Sequence, residues 1–105
     1  MHIELSTDSH IQGRESLQTR VEATVEAALG RYRQRITRVE VHLRDENGPK
    51  TGADDIRCAM EARLEGLKPA GVTHNASEIE DAVSGAAHKL QRVIEHALGR
   101  IEANN

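Results

Sequence analysis

Arg31, Arg33, Arg35 and Arg38 fall within eight residues, in a chain whose formal net charge is −3. A guanidinium is always charged, and its planar fork of donors fits the oxygens of a phosphate or carboxylate. Four of them this close make a candidate polyanion site. A second basic set stands near the far end: Lys89, Arg92, His96 and Arg100 are spaced three, four and four apart, one stripe if the segment is helical. The acids are sorted elsewhere, into Asp45-Glu46, Asp54-Asp55 and Glu78-Ile79-Glu80-Asp81. Net charge says little about partners when opposite charges are separated in space. The arginine cluster also has a structural explanation, because the backbone dipole favours cations at a helix C-terminus whether or not a ligand exists.

Other chemistries find less support. The chain has one Tyr, Tyr32, and no Phe or Trp. Single-stranded nucleic acids are commonly gripped by stacking bases on aromatic rings, and one ring makes no such platform. Any nucleic-acid recognition must therefore run through phosphates and shape. His88 and His96 stand about two helical turns apart, and neither has a second His or Cys three or four residues away. That is not a metal signature, and the acids between Asp45 and Asp55 miss the spacing of a calcium loop. Cys58 alternates in register with Ile56 and Met60, which reads as a small buried hydrophobe rather than a nucleophile. No nucleophile elbow or glycine-rich phosphate loop occurs. No catalytic residue, metal or cofactor is assigned, and the chain is not expected to be an enzyme.

The elements that must position the cations follow from periodicity. His2 to Ser6 alternates as a short strand, and Thr7 to Gly13 has the composition of a loop. Leu17, Val21, Val25, Ala28, Leu29 and Tyr32 recur at helical spacing, with Gly30 and Ile36-Thr37 marking the fraying end. Val39, Val41 and Leu43 alternate with Arg38, Glu40, His42 and Arg44, and Ile56 to Glu65 alternates again. These are two half-buried strands, joined by a turn-rich connection from Asp45 to Asp55. A turn over Gly66 to Gly71 and a short strand over Val72 to Ala76 follow. Ser77, with Glu80 three residues on, has the form of a capping box. It opens a helix whose wide apolar stripe runs from Ile79 to Ile101.

The expected fold class is α+β with element order β-α-β-β-β-α: a four-stranded mixed sheet, two parallel helices on one face, and a single domain over residues 1–105. The first strand, helix and second strand should form a parallel crossover, and the other strands should pair as antiparallel hairpins. Both helices then run back against strands one, two and four, so their C-termini share one end of the domain. That end collects both basic sets and Lys68, while the acids fall at the other. The predicted core includes Ile3, Leu5, Leu17, Val21, Val25, Val39, Val41, Ile56, Cys58, Met60, Val83, Leu90 and Ile94. On the open sheet face Arg38, Glu40, His42, Arg44, Arg57, Glu61, Arg63 and Glu65 mix the signs, as cross-strand ion pairs would.

At 105 residues the chain can bury one two-layer core. It has no apolar run near the length of a transmembrane helix, and Met1 to Leu5 lacks the regions of a signal peptide. One cysteine excludes an intrachain disulfide and fits a reducing compartment. A cytoplasmic protein is expected.

Two stretches carry a resemblance. Tyr32 to Leu43, with its aromatic helix end, Arg-Ile turn and following strand, resembles the ribosome-associated hibernation-promoting factor family, also called RaiA-like or sigma-factor modulation proteins, in its short form. Glu78 to Leu90, ending Asp-Ala-Val-Ser-Gly-Ala-Ala-His-Lys-Leu, is similar to the family's entry into its second helix. The resemblance implies binding to the small ribosomal subunit in the channel used by messenger and transfer RNA, inhibition of translation, and storage of inactive ribosomes under stress. It places Lys89, Arg92 and His96 on basic positions that face ribosomal RNA. The chain departs from the family at Thr24 and Ala27, where lysines are usual, and at Glu80, where an aromatic residue is common.

Two functions compete on these grounds. One is a ribosome-binding translation inhibitor whose nucleic-acid-binding residues are Arg31, Arg33, Arg35, Arg38, Lys89, Arg92, His96 and Arg100. The other is a stress-related protein-interaction domain of the same fold without RNA binding. The small subunit is the expected partner, with DNA, membranes and small-molecule substrates not expected.

Overall fold

Strand alternation and helical periodicity resolve into six elements in the predicted order. They are β1 (His2–Thr7), α1 (Arg14–Leu29), β2 (Ile36–Asp45), β3 (Ile56–Leu64), β4 (Ala70–Ala76) and α2 (Ile79–Asn104). The structure, a computed structural model, describes residues 1–9, 11, 13–46 and 55–104. The expected acidic residue Asp54 lies outside the described residues. Gly13, in the left-handed region at φ 71°, turns the chain into α1, and its carbonyl accepts from Leu17 N–H at 2.9 Å. The sheet runs β1-β2-β3-β4. β1 lies parallel to β2, with Ile3 opposite Val39 and Leu5 opposite Val41, whereas β2–β3 and β3–β4 are antiparallel.

Both helices cover one face of this sheet because their apolar stripes meet its inward-facing row. Val39, Val41 and Leu43 from β2 and Cys58, Met60 and Ala62 from β3 are buried with Leu17, Val21, Val25 and Leu29 of α1. Ala82, Val83, Ala86, Leu90, Ile94 and Leu98 of α2 close the core. The predicted core is buried except at Ile3, which is partly buried against it. β1 is an edge strand, so one flank of Ile3 has no neighbouring strand. No polar side chain is buried among the described residues.

Three boundaries differ from the periodicity. Ile36 and Thr37 belong to β2, not to the end of α1, because a register irregularity between Ile36 and Arg38 turns Ile36 inward to face Leu64. Such a bulge places two core residues three apart where alternation expects two. Pairing of Ala70 with Ala62 starts β4 two residues before Val72. α2 begins at Ile79 with Ala82 N–H bonded to the Glu78 carbonyl at 3.0 Å, so Glu78, rather than Ser77, stands at the cap.

Cys58 has no solvent exposure, and burial pushes its thiol up to about 12. Below pH 9 the thiol is protonated in both folded and unfolded chains, and its contribution to stability is intact. Between pH 9 and about 12 only the unfolded chain ionises, so stability falls as pH rises, by on the order of 4 kcal/mol over the window. Cys58→Ala is expected to flatten this alkaline loss in urea titrations. A thiol reagent at neutral pH should label the native chain far more slowly than the unfolded one. Equal labelling rates would show that the β3 register is misplaced.

Candidate nucleic-acid interface

α1 leaves through a tight 3-10 turn at Gly30–Tyr32, with no β-branched residue to resist the narrowing. Arg33 N–H bonds to the Gly30 carbonyl at 3.2 Å and Arg35 N–H to the Tyr32 carbonyl at 2.8 Å. The Arg35 carbonyl then accepts from Glu65 N–H at 2.9 Å, which fastens this end of α1 to the β3–β4 turn beside Lys68. Arg31, Arg33 and Arg35 are all exposed there. Their roles diverge. Arg33 is ion-paired with Glu26, and its Nε donates to the Gly30 carbonyl at 3.1 Å. That is the helix-terminus role the dipole favours. Arg31 lies over the Tyr32 ring at 5.5 Å from its centroid. The Tyr32 hydroxyl donates to Glu95 Oε2 at 2.6 Å. Arg35 has no ion pair among the described residues.

The stripe on α2 occupies the flank turned toward β4. Gly85, one turn before Lys89, sits directly over His74 of β4, and Lys89 Nζ donates to the Thr73 carbonyl at 2.9 Å. β4 is the other edge of the sheet, and a lysine bonded to an edge-strand carbonyl is a recognised guard against strand addition. Lys89 is thereby tethered to the protein. Arg92, His96 and Arg100 continue the stripe, exposed and without ion pairs among the described residues. The opposite flank of α2 faces α1, where Ser84, Ala87, His88 and Gln91 meet Ala23, Thr24, Ala27 and Ala28. The two basic sets therefore share one end of the domain but lie on either side of α2.

Arg38 does not join them. It is on the open sheet face, 3.4 Å from Glu40 and 3.9 Å from Glu4, beside Arg63, which is 3.6 Å from Glu40 and 3.9 Å from Glu61. Its place in β2 sends its side chain to the face opposite the helices, and neighbouring carboxylates neutralise it. At the far end Asp8 Oδ2 accepts from Asp45 N–H at 2.9 Å, Glu46 Oε1 accepts from Asn75 at 3.1 Å, and Glu80 pairs with Arg20 at 2.6 Å. With Asp55 and Asp81 these acids form a pole opposite Arg31, Arg35 and Arg100. No group of three or more His, Cys, Asp or Glu among the described residues could hold a metal, and no described helix is long and apolar enough to cross a membrane.

A hollow of about 550 Å³ opens between the end of α1 and the late turns of α2, lined by Arg31, Tyr32, Gln34, Arg35, Glu95, Leu98 and Gly99. Sequence reading passes over Gln34, Glu95 and Gly99 as parts of a site. Tyr32 and Glu95 are 63 positions apart, and only the parallel docking of the two helices joins them.

The sequence matches the model of a family described as sigma 54 modulation protein / S30EA ribosomal protein, over residues 4–102. No curated protein matches it. Among solved structures, the N-terminal domain of Protein Y from Thermus thermophilus superposes with a TM-score of 0.71 at 16% identity, over 91% of this chain and 98% of that one. A ribosomal subunit interface protein from Coxiella burnetii superposes with a TM-score of 0.75 at 14% identity, over 94% and 99%. At these identities the likeness is one of fold.

Proposed function

As the chain belongs to the sigma 54 modulation protein / S30EA ribosomal protein family, we propose that it is a cytoplasmic ribosome-associated factor that binds the small subunit and inhibits translation under stress. Its basic end contacts ribosomal RNA phosphates in the channel used by messenger RNA. The observation that carries this reading is the set of exposed basic side chains with no ion pair among the described residues, Arg31, Arg35, Arg92, His96 and Arg100, at one end of the fold. Arg33, Arg38 and Lys89, held by Glu26, the open-face carboxylates and Thr73, contribute less.

Each arginine that displaces a counterion adds a salt-dependent term of about 0.7 to 0.9 to the slope of log affinity against log salt. Four of them predict a slope of roughly −2.8 to −3.6. Arg92→Glu with Arg100→Glu is expected to weaken co-sedimentation with purified small subunits and to make the slope shallower by about 2. Thermal stability should scarcely change, because exposed charges contribute little to folding. Glu61→Lys on the open sheet face is the control and should leave binding near that of the parent.

The second reading is a protein-interaction domain that has lost RNA binding. One observation favours it: the groove between the helices, about 400 Å³, holds Thr24 and Ala27 among alanines, Ser84, His88 and Gln91, with no lysine or arginine. If small subunits fail to retain the protein even at low salt, or if the double variant binds with the parent's slope, the second reading replaces the first.

A further inference from the structure

The hollow at the junction of α1 and α2 has the volume of a small-ligand site, and its chemistry is specific. Arg31 and Arg35 line it, both exposed and neither in an ion pair among the described residues. Such guanidiniums bind a phosphate through paired charge-assisted hydrogen bonds. Leu98 gives an apolar wall, and Gly99 has open space where a Cβ would project, so a flat ring can lie against the helix backbone. A carboxylate shares the lining with the arginines. Glu95 accepts the Tyr32 hydroxyl on Oε2 at 2.6 Å, which fixes the group, while Oε1 has no partner among the described residues.

From this arrangement we propose that the hollow takes a guanosine phosphate, either a free nucleotide or an unpaired guanosine in RNA. An ionised carboxylate only accepts hydrogen bonds. The Watson–Crick edge of guanine presents two adjacent donors, N1–H and the N2 amino group, which suit it. Adenine presents the N1 lone pair at the same place, and the carboxylate repels it. The Gln34 amide can donate to the guanine O6 while Arg31 and Arg35 hold the phosphate. An acidic peptide would bring its carboxylates against Glu95, and a metal cation would meet two guanidiniums; neither suits the whole site. The proposal goes beyond the ribosomal reading and does not depend on it.

The test uses the full chain without ribosomes. Calorimetry with GMP, GDP and AMP forms one arm, and single-stranded uridine hexamers carrying one central guanosine or one adenosine form the other. Guanine is expected to be preferred over adenine by about tenfold or more, the discrimination of one good paired contact. Glu95→Gln should abolish the preference, since an amide cannot accept both donors, and Arg35→Ala should weaken GDP about tenfold. Both positions are exposed, and unchanged far-ultraviolet spectra would show that the variants fold. A preference among free nucleotides identifies a nucleotide site, and a preference only among the hexamers identifies an RNA-reading site. No preference in either arm, or a preference that survives Glu95→Gln, overturns the proposal. Because no ribosome is present, its failure is distinguishable from failure of small-subunit binding.

Discussion

Leu90→Ala is expected to destabilise the protein by about 2–5 kcal/mol. Leu90 has no solvent exposure and lies in the middle of the α2 stripe, between Ala86 and Ile94, against the sheet. Truncation removes its burial free energy and leaves a cavity that a close-packed two-layer core fills only in part. Domains of this size have about 5–15 kcal/mol in total, so the loss is a large share of the whole. Urea denaturation followed by far-ultraviolet circular dichroism should show a lower midpoint with an unchanged m-value. A change below about half a kcal/mol would mean that α2 presents a different face to the sheet.

The second large effect has the opposite sign to its usual expectation. Gly→Ala in a helix interior ordinarily stabilises by about 1 kcal/mol. At Gly85 an added Cβ would overlap the His74 imidazole at Cδ2, Nε2 and Cγ, closer than any ordinary contact. The ring, sandwiched between β4 and α2, must swing out or the helix must lift. Either adjustment should reverse the gain and destabilise by about 1–3 kcal/mol. His74→Ala removes the obstacle. Adding Gly85→Ala to a His74→Ala chain is therefore expected to stabilise it, so the cycle of four proteins should show strong coupling. If Gly85→Ala alone raises stability, the contact between the ring and the helix does not exist in solution.

Much of this fold can be read in the one-dimensional pattern because each element buries a single face. Val39, Val41 and Leu43 announce β2 by alternation, and Leu90 with Ile94 announces α2 by helical spacing. Alternation fails at Ile36, where a bulge shifts the phase, and a one-residue phase shift is invisible until the partner strand is known. The candidate site is less legible for a different reason. Charge type can be read from sequence, but the fate of a charge depends on neighbours distant in the chain. Arg33 and Arg35 are two positions apart, yet Glu26 holds one and leaves the other to solvent. Arg38 shares the arginine run and belongs to another face because a strand, not a helix, carries it. Lys89 belongs to the right stripe but reaches Thr73 across 16 positions. The family resemblance implies Lys89, Arg92 and His96 as a group, and only the structure shows that Lys89 is already held.

The scarcity of aromatic rings has an optical consequence. Tyr32 is the only Phe, Tyr or Trp in the chain, so near-ultraviolet absorbance and intrinsic fluorescence arise from one phenol at the junction of α1 and α2, with no indole to drain its emission. The core is spectroscopically silent. A titration or melt followed by tyrosine emission therefore reports on that junction alone, while the far-ultraviolet signal averages over the whole backbone. The two curves coincide only when the basic end and the body of the protein open together. Any gap between them measures how independently the Tyr32–Glu95 junction moves.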